Sequence, residues 1–146
     1  MIKKICSKAG PKYPKLYRHV LFCVPTFANP SGRIMSPRRR RELVLLARKY
    51  DVLVICDDVY DMLLWRNPIY ERPANLQSEG DPCYRVGWRA CIPRIVDIDR
   101  AETSAPAGHK YGNSCSNGSF SKLVGPGLRT GWLEGTEAFV ENLSVA

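Results

Sequence analysis

Between Gly118 and Trp132 the chain reads Gly-Ser-Phe-Ser-Lys-Leu-Val-Gly-Pro-Gly-Leu-Arg-Thr-Gly-Trp, which brings together an amine, a guanidinium and several hydroxyls. A lysine attacks an aldehyde only as the neutral amine, a form favoured by neighbouring positive charge and by partial desolvation. Arg129 can supply that charge. The planar guanidinium, with Ser119 and Ser121 beside it, is also a good receptor for a phosphate dianion, because its fork donates two parallel hydrogen bonds. In extended backbone Ser119 and Ser121 alternate around Phe120 and face one way. Lys122 then follows at the strand end, and a turn rich in Gly125, Pro126 and Gly127 brings Arg129 back. A phosphate-bearing aldehyde held covalently by Lys122 satisfies both requirements. Taken alone, these residues are explained equally well by a surface turn with an incidental Lys and Arg.

The elements that must position these groups are legible upstream. Val20 to Val24 is apolar at every position, as in a parallel strand covered on both faces. Pro25 ends it, and the turn-rich Phe27-Ala-Asn-Pro-Ser-Gly32 leaves the Asn29 amide just beyond the strand's carboxyl end. Ser36-Pro37 predicts a helix start, with Ser as N-cap and Pro at the first helical position. Leu43, Leu46, Ala47 and Tyr50 follow at i, i+3, i+4 and i+7, which predicts the buried stripe. Arg38 to Arg41 sit in the first turns, the unfavourable end of the helix dipole, and read as a solvated face.

Val52 to Cys56 is a second fully apolar run and ends in Asp57-Asp-Val-Tyr60. Strand, helix, strand over this length is a βαβ unit with parallel strands. Ligands in such sheets bind at the carboxyl ends of the strands, where Asn29 and Asp57 both fall. A carboxylate there is costly unless paired. A role as N-cap for a segment Val59 to Trp65 accounts for one of the two aspartates but not for both.

Residues 66–117 lose this pattern and read as an irregular excursion of the kind that is functional or disordered. Ile95-Val96-Asp97-Ile98 is its one expected strand. Ser116 to Phe120 is expected to be the next strand, delivering Lys122 to the same edge as Asp57. Leu128 to Leu133 is one more, and Thr136 is expected to N-cap a final helix. Residues 1–16, with five lysines, Gly10, Pro11 and Pro14, read as a basic linker.

A chain of 146 residues with 45% apolar content is the size of one ordinary domain. The net charge of +8 is spread thinly outside Lys3-Lys4 and Arg38 to Arg41, and no nucleic-acid-binding signature accompanies it. Cys6, Cys23, Cys56, Cys83, Cys91 and Cys115 form no C-x-x-C pair, and His19 and His109 add no metal-ligand spacing, so no metal is expected. Reduced thiols suit an intracellular protein. No membrane-length apolar run or secretory segment is visible, so the expected location is cytoplasmic, with a mitochondrial presequence as the alternative.

The strand ends therefore present Asn29, Asp57, Tyr60, Ser119, Ser121, Lys122 and Arg129. An aspartate facing a pyridine nitrogen keeps it protonated, so that the ring can draw electrons from a bound carbanion. An amide and a phenol can hydrogen-bond a ring oxygen. Asn29-Pro-Ser-Gly32 resembles N-P-[ST]-G, Asp57-Asp-Val-Tyr60 resembles D-x-x-Y, and Ser119-Phe-Ser-Lys122 with Pro126-Gly-Leu-Arg129 resembles S-x-S-K…P-G-x-R. In that order these are the motifs of the fold-type I pyridoxal-phosphate enzymes, class I/II aminotransferases. The wording leans toward the 2-aminoadipate, kynurenine and aromatic branch.

The resemblance covers Tyr17 to about Asn142 and implies an α/β fold. Residues 17–146 would be part of the large domain, a mostly parallel sheet with flanking helices, incomplete here. It implies that Lys122 is the catalytic Schiff-base lysine and later the base for the α-proton. Asp57 would pair with the pyridine nitrogen, Asn29 and Tyr60 with the ring hydroxyl, and Ser119, Ser121 and Arg129 with the phosphate. The cofactor would be pyridoxal 5'-phosphate, the substrates an amino acid and a 2-oxo acid, and the full-length parent a homodimer. Members of the family are more than twice this length. The chain lacks counterparts to the helix and stacking ring of the amino-terminal part, and to the arginine that clamps the substrate carboxylate. It therefore resembles the centre of such an enzyme and is expected to show no turnover by itself. Lyase or decarboxylase chemistry on the same cofactor, a cofactor-binding sensor module and an inactive remnant are the alternatives.

Overall fold

A computed structural model of the chain describes residues 13–63, 92–102 and 110–144. Strand β1, His19–Cys23, leads through a loop into helix α1, Pro37–Tyr50, and back into strand β2, Val52–Asp57. Ser36 caps α1 in extended backbone and accepts from the Arg39 N–H at 3.4 Å. The helix ends at Asp51, whose left-handed backbone, φ 54°, donates its N–H to Ala47 O. β2 pairs parallel with β1 from His19↔Val52 to Cys23↔Cys56, as the βαβ reading expects.

Strand β3, Ser114–Ser119, pairs parallel with β2, and strand β4, Gly131–Glu134, returns antiparallel beside it. The sheet is ordered β1-β2-β3-β4, a mixed sheet with the parallel pairs first. Helices α2, Ile95–Ala101, and α3, Glu137–Ser144, complete the described elements. Thr136 caps α3, its hydroxyl accepting from the Phe139 N–H at 3.4 Å. Among the described residues no helix is long and apolar enough to cross a membrane.

The core gathers Val44 and Ala47 of α1, Val54 and Cys56 of β2 and Ile95 of α2, with Cys23, Met35, Leu43, Val52 and Ile98 packed around it. Each large aliphatic side chain buried there stabilises the fold by about 1.5–3 kcal/mol. Its composition corrects the expected stripe of α1. Leu46 and Tyr50 are 52% and 54% exposed, and the buried line runs through Arg40, Val44 and Ala47. These three stand at i, i+4 and i+7, an equally helical spacing rotated about the axis.

Arg40 is therefore not part of a solvated face. It is fully buried, and its guanidinium donates to Met35 O at 3.0 Å, Pro93 O at 3.2 Å, Pro25 O at 3.1 Å and Thr26 Oγ1 at 2.8 Å. Its neighbours Arg38, Arg39 and Arg41 stay exposed, the first two paired with Glu42. The guanidinium supplies donors to the Met35 and Pro93 carbonyls at the entries to α1 and α2, and a second donor to Pro25 O, which also accepts from the Met35 N–H at 2.8 Å.

Three further expectations are corrected. Ile95 to Ile98 form the first turn of α2 rather than a strand; Asp97 at the third helical position accepts from the Arg94 N–H at 3.1 Å, and Ile95 and Val96 are buried. Tertiary burial and this cap override the strand preference of β-branched residues. β1 is not covered on both faces among the described residues, since Val20 and Phe22 are 64% and 63% exposed. β3 ends at Ser119, so Ser121 and Lys122 do not continue it. Residues 64–65 of the segment expected to follow Asp57 lie outside the described residues, as does most of the stretch read as irregular.

Candidate functional site

The parallel register carries the site. Because Asp57 stands opposite Asn117 at the ends of β2 and β3, whatever follows either strand emerges at the same edge of the sheet. After Asp57 the chain turns, with Asp61 N–H donating to Asp58 O at 3.1 Å, and enters a short 3₁₀ turn, Asp61–Leu63. Tyr60 immediately precedes it, within the turn closed by Asp58 O and Asp61 N–H. After Ser119 a second 3₁₀ turn, Phe120–Lys122, replaces the expected strand. Its effect is to swing Lys122 over the neighbouring strand end, where Nζ lies 5.7 Å from the centroid of the Tyr60 ring. That distance is a cation–π contact.

Ser119 is the device that turns the chain. Its Oγ accepts from the Ser121 N–H at 3.1 Å and donates to Thr130 O at 3.4 Å. The same loop is closed by Phe120 N–H donating to Thr130 O at 3.1 Å, so the chain returns toward β4 through a third 3₁₀ turn, Pro126–Leu128. Arg129 follows in left-handed backbone, φ 49°, and is exposed. Asn29 stands past the end of β1, on a loop tied by Ala28 N–H to Arg33 O at 2.9 Å and by Gly32 N–H to Ala28 O at 2.7 Å. The bond from Asn29 to Pro30 is cis.

In spatial order, the carboxyl ends of β1, β2 and β3 thus bear Asn29, then Asp57 and Tyr60, then Ser119, Ser121 and Lys122, with Arg129 on the return. The contacts draw Lys122 to Tyr60 and Ser119 to Ser121; Asn29 and Arg129 are brought to the edge without a side-chain contact to the others among the described residues. Lys122 is exposed and Asp57 half-buried, and among the described residues neither has an ion-pair partner. A half-buried carboxylate and an amine on adjoining strand ends, both without counter-ions, are chemically suited to a ligand that brings its own complementary groups.

Beneath this edge lies a buried polar layer that the sequence reading did not single out. Asp58 is buried, and its Oδ2 accepts from Ser116 Oγ at 2.6 Å, while Oδ1 has no hydrogen-bond partner among the described residues. Burial pushes its carboxyl above the usual aspartate range, against the pull of the Ser116 hydrogen bond and of Arg40 and Arg94. Asp61 is raised in the same way, by burial and by Asp58. Arg94 donates to Glu134 through both terminal nitrogens, at 2.7 and 2.9 Å, and to Asp97. On the other face Asn117 Nδ2 donates to Asp57 Oδ1 at 3.3 Å. The signal for Asp58 was present in the doubled aspartate, and that for Asn117 in its place two residues before Ser119.

Comparison with known proteins places this geometry in a family. An uncharacterized protein of Saccharomyces cerevisiae, YER152C, is 46% identical over 131 residues, 88% of this chain and 26% of its own length. The aromatic amino acid aminotransferase C1773.13 of Schizosaccharomyces pombe is 31% identical over 129 residues, 86% of this chain and 24% of its own. Among solved structures, the aminotransferase Aro9 from C. albicans superposes with a TM-score of 0.57 at 29% identity, over 86% of this chain and 23% of that one. The chain thus spans about a quarter of the length of the relatives it matches. The family model for aminotransferase class I and II matches residues 3–145, and the chain belongs to that family of pyridoxal-phosphate-dependent enzymes.

Proposed function

We propose that residues 17–146 are the central part of the large domain of a pyridoxal-phosphate-dependent aminotransferase, which moves an amino group from an amino acid to a 2-oxo acid. The observation that carries this reading is the amine of Lys122 lying against Tyr60, with the carboxylate of Asp57 on the adjoining strand end, neither of them in an ion pair among the described residues. When bound, the cofactor supplies an aldehyde for the amine and a pyridinium ring that withdraws electrons. Lys122 Nζ would be the nucleophile toward that aldehyde and, as the free amine, would serve as the base for the proton on the substrate's α-carbon. Asp57 holds a proton on the ring nitrogen. Asn29 and Tyr60 donate to the ring oxygen, and Ser119, Ser121 and Arg129 bind phosphate. Ser119 already serves the turn through Ser121 N–H and Thr130 O, so a phosphate oxygen would take its hydroxyl proton in place of Thr130 O. The chain spans about a quarter of its relatives' length, and the full-length parent would take an amino acid and a 2-oxo acid as substrates and form a homodimer.

The test is covalent trapping. The chain is incubated with pyridoxal phosphate, reduced with borohydride and digested, and the pyridoxyl adduct is located by mass spectrometry. The expected result is an adduct concentrated on Lys122 and lost in Lys122→Ala. Labelling spread evenly over the exposed lysines, unchanged by that substitution, would refute the lysine's role.

A further inference from the structure

The ends of β2 and β3 are joined by side chains on both faces of the sheet. On the covered face Ser116 Oγ donates to Asp58 Oδ2 at 2.6 Å, both residues being buried. On the open face, one register step further, Asn117 Nδ2 donates to Asp57 Oδ1 at 3.3 Å. Between them the backbone closes the strand end, with Asp58 N–H donating to Asn117 O at 3.0 Å. The buried rung and the backbone bond leave β3 no freedom to slip against β2, so Asn117 is held directly opposite Asp57.

We propose that Asn117 is a positioning residue: its amide N–H fixes the orientation of the Asp57 carboxylate at the strand end to which Lys122 is delivered. This rests on the reading of Asp57 as the partner of the cofactor's ring nitrogen. An ionised carboxylate carries only acceptors, and a single donor on one oxygen both orients the plane and leaves the second oxygen for the ligand. Asn117 is exposed, so packing gives no other reason for its amide. Its neighbour Ser116 is the buried one of the two. Nothing else among the described residues donates a side-chain hydrogen bond to Asp57.

The experiment uses the full chain in two measurements. First, without cofactor, the Asn117 side-chain amide resonances are followed in ¹⁵N spectra. Asp57→Asn is expected to move them and Glu42→Gln, on the exposed face of α1, is not; unmoved resonances in Asp57→Asn overturn the contact. Second, pyridoxal phosphate affinity is measured for Asn117→Ala and Asn117→Asp. Loss of the donor in Asn117→Ala is expected to weaken binding roughly tenfold. Asn117→Asp, with the same size and a repelling charge, is expected to be worse still, with thermal unfolding unchanged in both. A residue that merely filled space would give the opposite order, so an Asn117→Asp chain that binds like the unsubstituted one overturns the proposal. Absence of binding by the unsubstituted chain, with the resonance shift intact, upholds the rung and overturns the cofactor reading.

Discussion

Lys122 Nζ lies over the Tyr60 ring at 5.7 Å from its centroid, although the two residues leave different strands and are separated by most of the central part of the chain. The contact exists because β2 and β3 run parallel and end together, and because a 3₁₀ turn follows each. An exposed cation–π contact is worth about 0.5–1 kcal/mol, enough to bias an otherwise freely rotating lysine. Tyr60→Phe keeps the ring and loses only the hydroxyl read as a donor to the cofactor's ring oxygen, so it is expected to lower trapping at Lys122 by about two- to tenfold. Tyr60→Leu removes the ring as well and should lower the adduct yield by about a further two- to fivefold, read by quantitative peptide mapping.

Arg40 should be the least replaceable side chain among those described. Its removal takes the guanidinium donor from Met35 O, Pro93 O and Thr26 Oγ1 and leaves Pro25 O with the Met35 N–H alone. Arg40→Ala is expected to destabilise the chain by about 3–5 kcal/mol. Arg40→Lys should recover little of that, since an ammonium cannot span acceptors arranged around a planar fork. Urea denaturation of the variants measures both.

Gly118 is required by what stands across from it. A Cβ there would overlap the Trp132 indole, which is held by a tilted ring contact with Phe120, centroids 4.9 Å apart, and by Nε1 donating to Glu134 at 3.2 Å. Gly118→Ala is expected to cost about 1–3 kcal/mol. Adding Trp132→Leu should relieve part of this, so the two substitutions will not be additive in unfolding experiments.

Two carboxylates predict opposite responses to acid. Arg94's hydrogen bonds hold the Glu134 carboxyl below the ordinary glutamate range. A depressed folded value means that its stabilisation is present above the ordinary value of about 4.3 and is lost as the pH falls through the folded one. Glu134→Gln should therefore cost about 1–2 kcal/mol near neutrality, with the gap closing on acidification.

Asp58 has the reverse sign. Burial raises its carboxyl, so its contribution is fully present below the ordinary aspartate value of about 3.9 and is lost as the pH rises through the folded one. Asp58→Asn can still accept from Ser116 and should gain on the unsubstituted chain as the pH rises above about 4. Stability measured across that range checks both signs; a parallel pair of curves would contradict them.

Much of the architecture was written in local pattern. Two fully apolar runs flanking a capped amphipathic helix define a βαβ unit, and such a unit has one functional edge. Residue types with the right spacing at that edge, Asn29, Asp57, Tyr60, Ser119, Ser121, Lys122 and Arg129, sufficed to suggest the family, which the family match of residues 3–145 then established. Spacing carries this much because strand order and parallel pairing turn chain distance into position along a sheet edge.

What only the tertiary structure decided was which face of each element is inside and which local preference yields. The α1 sequence offers two helical stripes, and the neighbours Pro25, Met35 and Pro93 select the one that takes Arg40 inward. Ile95 to Ile98 would suit a strand, but the Arg94–Asp97 cap and burial against α1 and β2 make them helical. Of the paired aspartates, Asp58 is buried on Ser116 and Asp57 faces outward to Asn117, an alternation set by the pleat and by what covers each face. Burial and pairing across the sheet depend on partners distant in the chain, so no window of sequence contains them.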